Sequence, residues 1–339
     1  MRIGMKSPSA FSAVSAVRIH SRTQRYLMRI GIVGIGSMGS VMGGLFYEAG
    51  LDPVLIERDP NEVETVRKEG LWLEGVSGER RLNPRIVSAP SEAGPVDLAL
   101  VLVKSYDTRG AAETIRGMLA DEGVILTLQN GIGNYEILNE AFPGRVLLGT
   151  TTVGAMTLGP GRFRHTGFGQ THFGEADGSI RERTRSVAAA LEKLNAGPVH
   201  VVDNAVGCVW SKLIINAAIN APATLLQVRN GDLPLSESGR DLIHAIVQEC
   251  MKIVDAAGIK LIFEEPEARV LAVCEGTATN VNSMLQDIFA GRFTEIDFIN
   301  AAIAREGERL GIATPVNRTL ALLIKALEAT ASLRIPKQA

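Results

Sequence analysis

An apolar strand that runs straight into a glycine loop leaves a chain few folds to choose from, and this sequence has one near its start. Met28-Arg-Ile-Gly-Ile-Val-Gly34-Ile-Gly36-Ser37-Met38-Gly39-Ser-Val-Met sets a G-x-G-x-x-G between a short apolar run and a helical pattern. Gly34 permits the tight turn, Gly36 lets a pyrophosphate approach the backbone, and Gly39 allows the helix to pack closely on the strand. Ser37 and Met38 open the helix, whose N-terminus attracts the phosphates. A lone glycine pattern is weak, but here Pro53-Val-Leu-Ile56 follows as a second strand and ends in Glu57-Arg58-Asp59. Together they make a β-α-β unit of the length expected for a Rossmann dinucleotide-binding domain.

The end of that second strand pulls the cofactor choice two ways. An acid about 20 residues beyond the loop binds the ribose 2′-hydroxyl of NAD(H), whereas an arginine there accommodates the 2′-phosphate of NADP(H). Glu57 and Arg58 stand side by side, and the sequence leaves open which faces the ribose. Two further apolar runs, Val96-Asp-Leu-Ala-Leu-Val-Leu-Val103 and Gly123-Val-Ile-Leu-Thr-Leu128, read as strands of a parallel sheet covered on both faces. Lys104 follows the first and Gln129-Asn130-Gly131 the second. Carboxyl ends of such strands are where ligands bind, although a surface lysine and an Asn-Gly turn would look the same.

In the second half, Lys212-Leu-Ile-Ile-Asn216-Ala-Ala-Ile-Asn220 places an ammonium and two carboxamides at i, i+4 and i+8 on an otherwise apolar helix. At ~100° per residue the three spread over about 80° of the helix and about 12 Å of its length. Burying a lysine among apolar neighbours costs several kcal/mol unless an acceptor or anion satisfies it. The stripe therefore points to a polar ligand rather than to a merely solvated edge. From Ala205 onward the periodicity is helical, with helices expected near 205–221, 236–257, 266–290, 294–311 and 315–332, punctuated by Pro222, Gly258 and Gly311. Before it, residues 159–174 alternate as a hairpin or meander, a helical pattern covers 180–194, and Val199-His-Val-Val closes the sheet. The expected organisation is a Rossmann domain over 28–203 and a helical domain over 204–332, with the substrate cleft between them.

Composition narrows the partners. A net charge of −2 argues against nucleic acid, and no apolar run approaches the ~18 residues that would span a bilayer. Cys208, Cys250 and Cys274 are scattered and odd in number, which fits reduced thiols and a cytoplasmic location. The histidines lack metal-ligand spacing, so no metal is expected. Residues 1–27 carry Arg2, Lys6, Arg18, Arg22 and Arg25 with several serines, and no acid precedes Glu48. That composition is similar to a transit peptide, yet Met28 is itself a natural start, and a disordered extension or an upstream start is expected there.

Several separated motifs carry a resemblance over residues 28–332: the glycine loop, Val103-Lys104, Gln129-Asn130-Gly-Ile-Gly, Gly149-Thr-Thr-Thr, Lys212-x3-Asn216-x3-Asn220, Asn230-Gly, and Asn280-Val-Asn-Ser283-Met-Leu-Gln-Asp followed by Thr294-Glu295-Ile-Asp297. The chain resembles the ketopantoate reductase (2-dehydropantoate 2-reductase) family. The resemblance implies an α/β fold with an N-terminal Rossmann domain and an all-α C-terminal domain of the 6-phosphogluconate dehydrogenase type. It also implies NADPH-dependent reduction of a 2-oxo acid in pantothenate and coenzyme A biosynthesis, by a homodimer joined through its helical domains. By the same resemblance Lys212 is the general acid and Glu295 orients it. Asn216, Asn220, Asn230, Asn280 and Ser283 hold the substrate, and Gly34, Gly36, Ser37, Met38, Gly39, Arg58, Lys104 and Asn130 hold NADP(H). Glu57, standing where a small or apolar residue is expected, keeps NAD(H) as the alternative. Two other readings share the outline. A 3-hydroxyisobutyrate-type dehydrogenase also pairs such a loop with lysine and asparagine four residues apart, but not with Asn220, Asn230 and the Ser283–Glu295 segment. A non-catalytic NADP(H) sensor would need neither Lys212 nor Glu295.

Overall fold

The computed structural model describes residues 28–333, so the extension expected over residues 1–27 lies outside the described residues. The first half alternates strands and helices: β1 (Ile30–Val33), α1 (Ser37–Glu48), β2 (Val54–Ile56), α2 (Pro60–Glu69), β3 (Leu71–Gly75), β4 (Arg80–Leu82), β5 (Arg85–Val87), α3 (Pro90–Ala93), β6 (Val96–Val101), α4 (Thr108–Arg116), β7 (Leu119–Thr127), α5 (Asn134–Ala141) and β8 (Val146–Thr151). Then come β9 (Gly154–Gly159), β10 (Arg162–Gly167), β11 (Thr171–Glu175), α6 (Glu182–Glu192) and β12 (Val199–Val201).

An eight-stranded sheet runs in the order β12-β11-β8-β7-β6-β1-β2-β5. Its strands from β5 to β8 are all parallel, and β1 and β6 pair at the point where the strand order reverses. Ligands of open α/β sheets bind outside the carboxyl ends at that switch point. The continuous apolar runs explain why these strands sit centrally: every residue of β1 and β2 is buried, as is all of β6 except Asp97. Asp97 instead takes the Arg29 guanidinium at the amino end of the sheet.

The meander does not simply extend this sheet. β9 and β10 pair with β3 and β4 in a separate four-stranded sheet that lies over α1, while β11 returns to pair antiparallel with β8, and β12 joins it. Helix α1 is consequently enclosed by sheet on both sides and buries Gly39 through Phe46 without a break.

The second half is helical: α7 (Ala205–Leu226), α8 (Glu237–Ala257), α9 (Pro266–Gly276), α10 (Ser283–Phe289), α11 (Asn300–Leu310) and α12 (Pro315–Ala329). Its core holds Ile214, Ile243, Ile246, Ile303 and Ile324, all without exposed surface. Three expectations need correction. Pro222 does not end α7, which continues to Leu226. A proline costs a helix about 3 kcal/mol, but burial of Ala217, Ala218, Ile219, Ala221 and Ala223 outweighs that here. The helix expected over 266–290 is broken at residues 277–282. There the backbone leaves the helix to receive Asn230 N–H on Asn280 O at 3.0 Å and Gly231 N–H on Ala278 O at 3.2 Å. Asn282 then caps α10, its Oδ1 accepting from Leu285 N–H at 3.0 Å. The segment expected to start a helix at 294 instead makes a short 3-10 turn at Ile296–Phe298 before α11 begins.

Candidate active site

Gly34 has φ +98°, and a Cβ on it would lie 2.7 Å from the Val103 backbone nitrogen. A Cβ on Gly39 would lie 1.9 Å from Gly34 O, so the loop closes onto α1 only with glycine at both places. Gly36, by contrast, faces open space, with nothing within 4 Å of where its Cβ would be. It occupies the N-cap of α1 with no side-chain cap, and the first turn carries no acid. The uncapped amide groups and the positive end of the helix dipole are thus left for an anion. This cradle fits a dinucleotide pyrophosphate.

From the loop a cavity of about 640 Å³ extends along the carboxyl ends of the strands to the helical half. Lys212, Asn216 and Asn220 all line it, as the stripe on α7 predicts. The Lys212 ammonium donates to Thr151 O, at the end of β8, at 2.8 Å. Burial pushes its pKa down to about 8, against the opposing pull of the Glu295 carboxylate. Glu295 makes no hydrogen bond to Lys212 and acts on the ammonium through its charge. Its Oε1 accepts from Ser105 N–H at 3.0 Å and lies 2.9 Å from the Ser105 hydroxyl, while Oε2 accepts from Asn130 Nδ2 at 3.0 Å. The carboxylate therefore reaches Lys212 only through its charge and serves directly as a clasp between the two halves.

A second carboxylate crosses the cleft beside it. Asp287, on α10, is 3% exposed and pairs with Lys104 at 2.5 Å and with Arg292 at 3.0 Å. Burial lowers the pKa of Lys104, but Glu295 and Asp287 together more than offset this, and the net shift is upward. The backbones of the halves also touch: Ile132 N–H donates to Phe298 O at 3.0 Å. Gly131, at φ +83°, allows that contact, since a Cβ there would sit 2.1 Å from Phe298 O.

The remaining expected residues all line the same cavity. Asn280 and Ser283 are exposed at its rim, and Asn230 is buried, with Nδ2 donating to Thr277 Oγ1 at 2.9 Å. Its Oδ1 has no hydrogen-bond partner among the described residues. Ser37 and Met38 line the loop end, with the Ser37 and Thr157 hydroxyls 2.8 Å apart. Glu57 and Arg58 lie beyond the loop on the same wall. Sequence reasoning missed Ser105, Asp287, Asp107 and Arg292. Asp287 had a signal: it follows Ser283 by four residues, on one helical face. Ser105 had only its adjacency to Lys104.

Other chemistries have little footing. The cysteines Cys208, Cys250 and Cys274 are buried, and burial raises each thiol pKa, away from thiolate reactivity. Among the described residues no cluster of His, Cys, Asp and Glu is placed to hold a metal, and no helix is long and apolar enough to cross a membrane.

Comparison with known proteins follows the two halves of the chain. Residues 30–178 match the family described as ketopantoate reductase PanE/ApbA, and residues 204–328 match its C-terminal family. The 2-dehydropantoate 2-reductase of Halobacterium salinarum is 36% identical over 300 residues, spanning 88% of this chain and 98% of that protein. Among solved structures, a PanE/ApbA family ketopantoate reductase from Ralstonia eutropha superposes with a TM-score of 0.83 at 31% identity, covering 90% of this chain and all of the other. A D-mandelate dehydrogenase with NADH and anilino(oxo)acetate superposes with a TM-score of 0.84 at 27% identity, covering 91% of this chain and all of the other.

Proposed function

The chain belongs to the ketopantoate reductase family, and from that membership we propose that it reduces 2-dehydropantoate, or a closely related 2-oxo acid, to the 2-hydroxy acid at the expense of a reduced nicotinamide nucleotide. For 2-dehydropantoate the product is pantoate, on the route to pantothenate. The observation that carries this reading is the Lys212 ammonium, with its pKa of about 8, in the cavity that opens from the glycine loop.

The bound nucleotide supplies a hydride to the C2 carbonyl carbon. The amides around Gly36 would hold its pyrophosphate, Glu57, with Arg58 beside it, would meet its adenosine ribose, and Lys104 and Asn130 would border the nicotinamide end. As negative charge develops on the C2 oxygen, Lys212 stabilises it and delivers a proton, for which an acid near pKa 8 is well matched at neutral pH. Thr151 O and the charge of Glu295 position the ammonium, and Glu295 keeps its pKa from falling further. Ser283 and Asn280, at the rim, receive the substrate carboxylate. Asn216, Asn220 and Asn230 take hydroxyl groups. Such a site rejects substrates that lack those groups, because its buried amides would be left unpaired.

The likeness to a D-mandelate dehydrogenase supports a second reading, with the same reaction at C2 of a 2-oxo acid of different side chain. None of the relatives named above favours a 3-hydroxyisobutyrate-type dehydrogenase or a nucleotide sensor. Loss of reduced-nicotinamide absorbance, followed with 2-dehydropantoate beside aryl and branched-chain 2-oxo acids, separates these possibilities. Fastest turnover with 2-dehydropantoate is expected. Faster turnover of an aryl 2-oxo acid would transfer the assignment to the second reading, and silence with every acid would refute both.

A further inference from the structure

The adenosine-ribose end of the cavity carries three charged side chains, and their geometry bears on which nucleotide the protein takes. Glu57 follows β2 and is pinned by backbone donors. Its Oε2 accepts from Ile35 N–H, inside the glycine loop, at 2.9 Å, and its Oε1 accepts from Arg58 N–H at 2.7 Å and Asp59 N–H at 3.0 Å. Arg58 is turned the other way. Its guanidinium pairs with Asp107 Oδ1 at 3.0 Å and lies over the first turn of α4, where Gly110 leaves it room: a Cβ there would be 3.0 Å from Arg58 Nη1. Glu57, Arg58 and Asp107 all line the cavity beside the loop.

A carboxylate offers about four lone-pair sites, and three of those on Glu57 are taken by the backbone. The remaining one, on the oxygen that faces the loop, can accept a hydrogen bond. A ribose 2′-hydroxyl has a proton to donate to it. A 2′-phosphate offers mainly lone pairs and negative charge, and Glu57 is held against it by three backbone amides, of which the partly buried Ile35 N–H would lose its acceptor if the side chain swung away. Arg58 could in principle compensate, since an exposed ion pair such as that with Asp107 is worth little and is easily exchanged. Freeing Arg58 would nevertheless leave Asp107 in the same place, so the phosphate would meet one cation and two anions.

We infer that the protein selects NADH over NADPH, with Glu57 as the ribose acceptor and Asp107 as the specificity residue that neutralises Arg58. The inference rests on the nicotinamide-nucleotide reading of the cavity, and it reverses the order of preference, NADP(H) before NAD(H), that the family resemblance implies.

Equilibrium titration of the purified protein with NADH and with NADPH, in the absence of any 2-oxo acid and read by nicotinamide fluorescence, tests it independently of the substrate assignment. NADH is expected to bind at least about tenfold more tightly. Asp107→Asn leaves Glu57 untouched and removes no helix cap, because the Asp107 side chain makes no capping bond to α4. It is expected to tighten NADPH several-fold and to change NADH by less than twofold. Glu57→Gln should weaken NADH and narrow the ratio further. Equal or tighter binding of NADPH by the unmodified protein would overturn the inference, and an Asp107→Asn protein whose NADPH affinity is unchanged would remove Asp107 from it. Binding of neither nucleotide would refute the cofactor reading itself and this inference with it.

Discussion

The two ends of the cavity are built on different principles. At the nucleotide end the working groups are backbone amides and glycines from one short stretch, and the side chains that bear on it, Glu57, Arg58 and Asp107, follow neighbouring strands of the same sheet. At the substrate end the working groups are side chains drawn from both halves: Lys104, Ser105 and Asn130 meet Asp287 and Glu295 from segments far apart in the chain. One end is a local motif that a strand-turn-helix unit produces by itself. The other exists only once the helical half is docked, and its electrostatics belong to the pair of halves.

That contrast can be attacked from either side. The largest effect is expected from Lys212→Ala, which should lower the rate of reduction by about 10²- to 10⁴-fold with nucleotide affinity nearly unchanged. A loss of nucleotide binding of similar size would show that the ends are not separable. Next, Gly131→Ala forces the two backbones apart at Phe298, and a displacement of about 1 Å at the reacting atoms costs on the order of 10²-fold in kcat/KM. Wild-type kcat/KM in that variant would mean that the contact does not set the geometry. Gly39→Ala is the matching change at the nucleotide end. It should weaken nucleotide binding about tenfold or more, since 1.4 kcal/mol of strain already corresponds to that factor, and titration of the nucleotide alone reads it.

The smallest effect is a pH shift. Lys212 acts as an acid, so the rate of reduction should be level below its pKa of about 8 and fall as the pH rises through it. The Glu295 charge raises that pKa, so Glu295→Gln should move the falling limb to lower pH, with only a few-fold loss of rate near neutrality. A limb that stays in place would sever the electrostatic link between the two residues.

The same contrast explains what could be read from the sequence. The glycine loop and the Lys212, Asn216, Asn220 stripe were legible because fixed spacings on one strand-turn-helix or one helix dictate where their atoms go. Pro222 misled because local propensity says nothing of the apolar packing that carries α7 past it. The break at 277–282 was hidden by a continuous helical pattern, and only its tie to Asn230 accounts for it. Glu295 was found, but its hydrogen-bond partners were not. No spacing in a single chain tells which of several donors a carboxylate will meet across a cleft, and the same holds for the Lys104–Asp287 pair.

The contact of Gly131 with Phe298 O has one more consequence. Where two bodies touch through main chain, with no side chain between them, the gap has a minimum that substitutions elsewhere in the walls cannot reduce. The lining residues can be exchanged one at a time to suit a bulkier or more polar acid while the span from the glycine loop to the lysine stays constant. Gly131 thus acts as a mechanical stop, and it keeps the width of the cleft independent of the side chains that line it.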